Sequence, residues 1–225
     1  MEQENKNTQQ PTAGEVVNRS EQFVEKNASK ILYVVLGILV IAFGIWAYIR
    51  FVQKPAKEKA YAALFPAEEK FLNGEDSIAL KSTDLGAKGF ADLAKGSSDA
   101  ANLAHAYAGI CYYDMGKYQE ALAELKQFKA KEAFVAPSIV RLMGDCQVQL
   151  GKLPEAAKLF EEAAAKADNE AVSPLCLLKA GRVYEELKQY DKALTAYKTI
   201  KDKYYNAPEA SQVEASIIRV ESLKH

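Results

Sequence analysis

General acid–base or nucleophilic chemistry needs a nucleophile, a base and an orienting group within reach of one another, and this sequence offers few candidates. It holds two histidines, His105 and His225, the latter its last residue, and three cysteines, Cys111, Cys146 and Cys176. The cysteines form no Cys-x-x-Cys pair and no even disulfide framework. Gly86-x-x-Gly89 lacks both a preceding strand and a following Lys-Ser/Thr, so it reads as the opening of a helix instead of a phosphate loop. The acidic pairs Glu161–Glu162 and Glu185–Glu186 stand in lysine-rich stretches, the pattern of a solvated helix face. No catalytic residue, metal site or cofactor is expected, and the chain is read as a non-enzyme. Its formal net charge of -1, with basic residues scattered, excludes an electrostatic footprint for nucleic acid.

The elements carrying these residues divide into an apolar run and a helical remainder. Residues 31–49, ILYVVLGILVIAFGIWAYI, contain no charge and would span ~28 Å as a helix, close to the ~30 Å of a bilayer core. Lys30 and Arg50 bracket the run, and Tyr33, Trp46 and Tyr48 lie toward its ends, where amphipathic rings favour the headgroup region. With no small-x-small pair just beyond it, the run is expected to be an uncleaved single span over 30–52. Gly37 and Gly44, seven apart, share one face on which another membrane helix could approach. Arg19, Lys26 and Lys30 on one side face Arg50, Lys54, Lys57 and Lys59 on the other, so charge leaves the orientation open. Residues 1–29, rich in Gln, Asn, Glu and Thr, are expected to be a disordered tail, turning helical near Glu21.

Beyond Pro55 the pattern is all-α, with helices broken by Gly, Pro, Asn and Asp and no alternating β pattern. Three segments align: AHAYAGICYYDMGKYQEALAEL from 104, IVRLMGDCQVQLGKLPEAAKLF from 139 and LLKAGRVYEELKQYDKALTAY from 177. Gly109, Gly144 and Gly181 match, as do Ala121, Ala156 and Ala193, and Leu125, Phe160 and Tyr197, at offsets of 35 and 37 residues. The period and residue types resemble the tetratricopeptide repeat, in which small residues let two antiparallel helices approach while large ones fill the gap. Gly116 and Gly151 occupy the first two turns, where Lys188 stands in the third, a less favourable turn residue. Ala136–Pro137 and Ser173–Pro174 mark helix starts.

Residues 53–100 are expected to form a divergent first unit, with helices over 56–72 and 86–94 and a break at 73–76. Residues 101–225 form three repeats and a capping helix whose inner face carries Val213, Ile217, Val220 and Leu223. In this register His105 and the cysteines fall on packing positions, and Cys111 and Cys146 sit too far apart for a disulfide. The first helix of each pair lines the concave face, so Ile110, Tyr113, Asp114, Arg141, Asp145, Gln149, Arg182, Glu185 and Glu186 are the candidate partner-binding groove.

Tail, anchor and short solenoid together resemble the YfgM-like family, ancillary subunits of the bacterial Sec translocon, most closely over NLAHAYAGICYYDMGKYQEALAELKQF. The resemblance implies an inner-membrane protein with its N-terminus cytoplasmic and its repeat domain periplasmic. It also implies Sec subunits, exported polypeptides and periplasmic chaperones as partners. A scaffold for an envelope or cell-wall assembly complex is the alternative.

Overall fold

The computed structural model describes residues 13–81, 86–129 and 134–224, with side chains from residue 21 onward. Residues 1–12 of the expected tail, and His225, lie outside the described residues. The chain divides into two units, 1–56 and 57–225, and all regular structure among the described residues is helical.

In the first unit a 36-residue helix, α1 (Ala13–Tyr48), holds the apolar run. It begins eight residues before the expected point at Glu21, because extending an existing helix avoids the nucleation cost that a free segment would bear. Leu32, Val34, Leu39, Val40, Ile41 and Phe43 are all exposed, and a helix that is apolar all round requires a lipid or protein surrounding. It is long and apolar enough to cross a membrane. A Cβ added at Gly37 or Gly44 would meet nothing within 4 Å. A π-helical turn (Ile49–Gln53) follows, closed by the Lys54 N–H donating to the Ile49 carbonyl. Pro55, at the start of α2 (Lys54–Ala62), lacks an N–H and crowds the carbonyl four residues back, and a widened turn relieves that crowding.

The second unit begins with short helices. Residues 56–72 are interrupted between α2 and α3 (Phe65–Leu72), where Pro66 occupies the first turn. After the break come α4 (Asp76–Lys81), which the sequence pattern did not indicate, and the four-residue α5 (Phe90–Leu93) in place of a helix over 86–94. Gly89 is the N-cap of α5 and lies against the end of α4: a Cβ there would stand 2.5 Å from the Lys81 carbonyl carbon. Phe90, fully buried, stacks on Tyr107 at 4.7 Å between centroids, with Phe71 edge-on to Tyr107 at 5.3 Å.

Three hairpins follow, α6–α7 (Asp99–Asp114, Tyr118–Gln127), α8–α9 (Val135–Gln149, Leu153–Ala167) and α10–α11 (Ser173–Glu186, Tyr190–Lys203). Each closes through the same geometry. Ala121, Ala156 and Ala193 are wholly buried. A Cβ on Gly109 would stand 2.6 Å from Leu125, one on Gly144 2.6 Å from Phe160, and one on Gly181 2.3 Å from Tyr197. The large residue of the second helix thus rests on the bare backbone of the first.

The three turns are also alike. Lys117, Lys152 and Gln189 each donate their N–H five residues back, to Tyr112, Gln147 and Tyr184, at 2.8–2.9 Å, a helix-ending pattern that needs a left-handed residue just before the donor. Gly116 (φ 74°) and Gly151 (φ 72°) supply it without strain, whereas Lys188 is held at φ 59°.

The last helix, α12 (Ala210–Leu223), buries Val213, Ile217 and Val220 against Tyr197 and Ile200, while Leu223 is exposed instead of joining that face. The turn before α10 is tied by buried Ser173, whose hydroxyl donates to the Ala164 carbonyl at 2.8 Å.

Candidate functional site

The residues best suited to chemistry are occupied structurally. His105, assigned by register to a packing position, is half-buried, and its Nδ1 lies 2.7 Å from Glu124 Oε2 across the first hairpin. The three cysteines are free and buried. Burial pushes the Cys111 thiol up to about 12 and those of Cys146 and Cys176 to about 11, so none supplies the thiolate that nucleophilic or ligand chemistry needs. Among the described residues, no cluster of three or more His, Cys, Asp or Glu side chains is placed to hold a metal ion.

The predicted groove residues behave as two sets. Tyr113 on α6, Asp145 and Gln149 on α8, and Arg182 and Glu186 on α10 converge on one open pocket of about 260 Å³. It is floored by Val148, Phe160, Lys179 and Val183, which the register had not assigned to the groove. Ile110, Asp114, Arg141 and Glu185 do not line it. Asp114 is exposed as a residue, but partial desolvation of its carboxyl, together with the Asp76 charge, raises it above the usual range.

Glu185 departs most from the expected solvated face. Its carboxylate accepts hydrogen bonds from the Tyr197 hydroxyl at 2.5 Å and from the Arg219 guanidinium at 2.8 and 3.0 Å, tying the third repeat to the cap. Burial pushes its pKa up, but the bonds from Arg219 and Tyr197 outweigh that and hold it below the ordinary value. Burial and the adjacent Glu185 carboxylate also raise the Tyr197 hydroxyl.

Asp145 is the electrostatic centre of the pocket. Its side chain, 11% exposed, accepts from Arg141 at 2.9 Å one helical turn away and from Lys179 at 2.8 Å in the next repeat. Lys179 also stands 5.7 Å above the Phe160 ring, so one lysine joins an ion pair and a cation–π contact. Asp145 and Lys179 lie 34 residues apart, three short of the 37-residue offset between the second and third repeats, so Lys179 sits about one turn before the position that matches Asp145. Opposite charges one turn off register on successive first helices were the signal that could have placed Lys179 in the pocket.

A larger hollow of about 430 Å³ lies by Tyr61, Leu103, Phe128 and Val135. Two of its polar side chains are already used: Asp99 pairs with Lys57 at 2.9 Å, and Asn102 exchanges two hydrogen bonds with the Lys129 backbone at 2.8 and 2.9 Å.

A family model described as tetratricopeptide repeat matches residues 108–172 and 142–210. These stretches hold all three turns and all three glycine–large residue contacts. No curated protein matches the chain. Tetratricopeptide repeats are therefore present over the helical hairpins, and repeats of this kind serve as protein-interaction scaffolds.

Proposed function

We propose that this protein is a membrane-anchored, non-catalytic scaffold that binds other proteins in the groove between α8 and α10 and works as an ancillary subunit of the bacterial Sec translocon. The observation that carries the binding role is the pocket around Asp145, where groove residues from three successive repeats meet. The nineteen-residue uncharged run within α1 and its π-helical end supports the anchor. Gly37 and Gly44, whose face is open, would let a translocon helix approach. The resemblance to the YfgM-like family supports the rest: N-terminus cytoplasmic, repeats periplasmic, with exported polypeptides and periplasmic chaperones as partners.

Crosslinking in native membranes, followed by affinity capture in mild detergent and mass spectrometry, tests this reading. Recovery of Sec subunits with periplasmic folding factors is the expected result. One stoichiometric partner from an envelope-assembly complex, with no Sec subunit, would keep the scaffold and replace its assignment.

A further inference from the structure

The hollow beside Tyr61, Leu103, Phe128 and Val135 runs into another of about 320 Å³ where α7 ends and α8 begins, the two sharing Phe128 and Lys129. Lys126, Lys129 and Lys166 line this second hollow and no carboxylate does. All three lysines are exposed, and none makes an ion pair among the described residues. The one carboxylate lining either hollow is Asp99, which Lys57 already holds at 2.9 Å. Lys131 and Glu132, outside the described residues, offset each other in charge. Between the lysines the surface is apolar: Phe134, Val135 and Tyr61 are exposed, and Phe128, Ile139 and Met143 are half-buried. An exposed apolar patch edged by unpaired cations marks an interaction surface.

We infer that this edge of the repeat domain docks on the membrane that holds α1, with Lys126, Lys129 and Lys166 on anionic phospholipid headgroups and Phe134 and Val135 at the boundary between headgroups and acyl chains. This rests on the membrane anchor of the reading above and adds a second contact with the same bilayer. Chain connectivity favours that occupant over a free acidic protein. Tyr61 lies twelve residues beyond Ile49, the end of the apolar run, or ~18 Å of helical path, and Lys57 on the same helix is paired with Asp99 at the start of α6. A bilayer around the apolar run is thus supplied at a high effective concentration. None of the three lysines lines the pocket around Asp145, so docking leaves the groove open.

The test uses the full chain in lipid nanodiscs, one copy per disc, made of phosphatidylcholine alone or with one-third phosphatidylglycerol. A polarity-sensitive nitrobenzoxadiazole dye is placed through Gln127→Cys, exposed and sharing a hollow with Lys129, and in a control through Glu155→Cys, exposed near the turn between α8 and α9. The native cysteines are buried, and the parent chain checks that they take no dye. Emission at 127 should rise and shift to the blue in the anionic discs, revert at molar salt, and stay unchanged at 155. Each lysine near an anionic surface contributes about fivefold, so Lys126→Gln/Lys129→Gln/Lys166→Gln, matched by far-UV circular dichroism, should lower the docking equilibrium about 100-fold and abolish the shift. Phe134→Asn should weaken the shift without removing its salt dependence. Equal emission at 127 in both lipids, a shift that survives the triple variant, or an equal shift at 155 overturns the inference and leaves the anchor standing. A shift that needs two copies per disc and ignores lipid charge gives the surface to a second copy instead, which also overturns it. If the chain does not co-elute with the discs, the anchor reading falls, and this inference with it.

Discussion

Gly181→Ala probes the contact that defines each repeat. In an open helix the change would be favourable by about 1 kcal/mol, because alanine is the better helix former. Here the new Cβ would lie 2.3 Å from Tyr197 Cε1 and 2.7 Å from Cζ, whereas carbon atoms settle at ~3.5–4.0 Å. More than 1 Å must be opened. The ring cannot swing aside, since its hydroxyl is 2.5 Å from Glu185 on the same helix as Gly181, and Glu185 is clamped by Arg219. The helices must therefore separate, and overpacking of this kind costs about 1–3 kcal/mol. Taking the upper end and subtracting the helix gain leaves a loss of about 2 kcal/mol, or about 4–8 °C in Tm for a domain of this size.

Gly109→Ala should cost less, because its neighbour Leu125, though buried, is held by packing alone and has no hydroxyl tether. In a Tyr197→Phe background, where the ring is released, the Gly181→Ala loss should shrink. Thermal unfolding followed by far-UV circular dichroism on the full chain in detergent measures all of these. A Gly181→Ala protein as stable as wild type, or more so, would refute the reasoning.

Four other outcomes are expected. Lys188→Gly should stabilise by about 0.5–1 kcal/mol in urea unfolding, since Lys188 holds a left-handed φ of 59° where Gly116 and Gly151 sit in the matching turns. Asp145→Asn should destabilise by about 1–2 kcal/mol, leaving two half-buried cations that regain only part of their hydration; a double-mutant cycle with Lys179→Met should show coupling between the second and third repeats. The Glu185 carboxyl is held below its ordinary value of 4.5, so its stabilisation is fully present above that pH and lost as pH falls through the lower folded-state value. Acid titration of the urea midpoint should accordingly flatten in Glu185→Gln. The three cysteines should resist a thiol-selective reagent such as dithionitrobenzoate at pH 8 in the folded protein and react together on unfolding, because burial keeps them protonated.

Much of the architecture is legible in the amino-acid order because its causes are local. An uncharged nineteen-residue run is legible by itself as a helix long and apolar enough to cross a membrane. The glycine, alanine and large residue of each hairpin recur at a fixed interval because two antiparallel helices joined by a short turn meet at the same places each time, and Gly109–Leu125, Gly144–Phe160 and Gly181–Tyr197 do touch as their alignment requires. Even the weak third turn is visible as a lysine in a glycine's place. Residues 53–100 were less readable: α4 and the brief α5 are set by packing on α6, through Phe90 and Tyr107, and not by their own periodicity.

The groove shows the same division. Register places Tyr113, Asp145, Gln149, Arg182 and Glu186 on one concave side, and they do converge. Only the tertiary structure decided that Glu185 is withdrawn to Arg219, that Lys179 crosses to Asp145 and that Phe160 forms the floor. Periodicity reports which way a residue faces on its own helix. Which charge it meets depends on the stagger between neighbouring repeats, a property of their packing that no single helix contains.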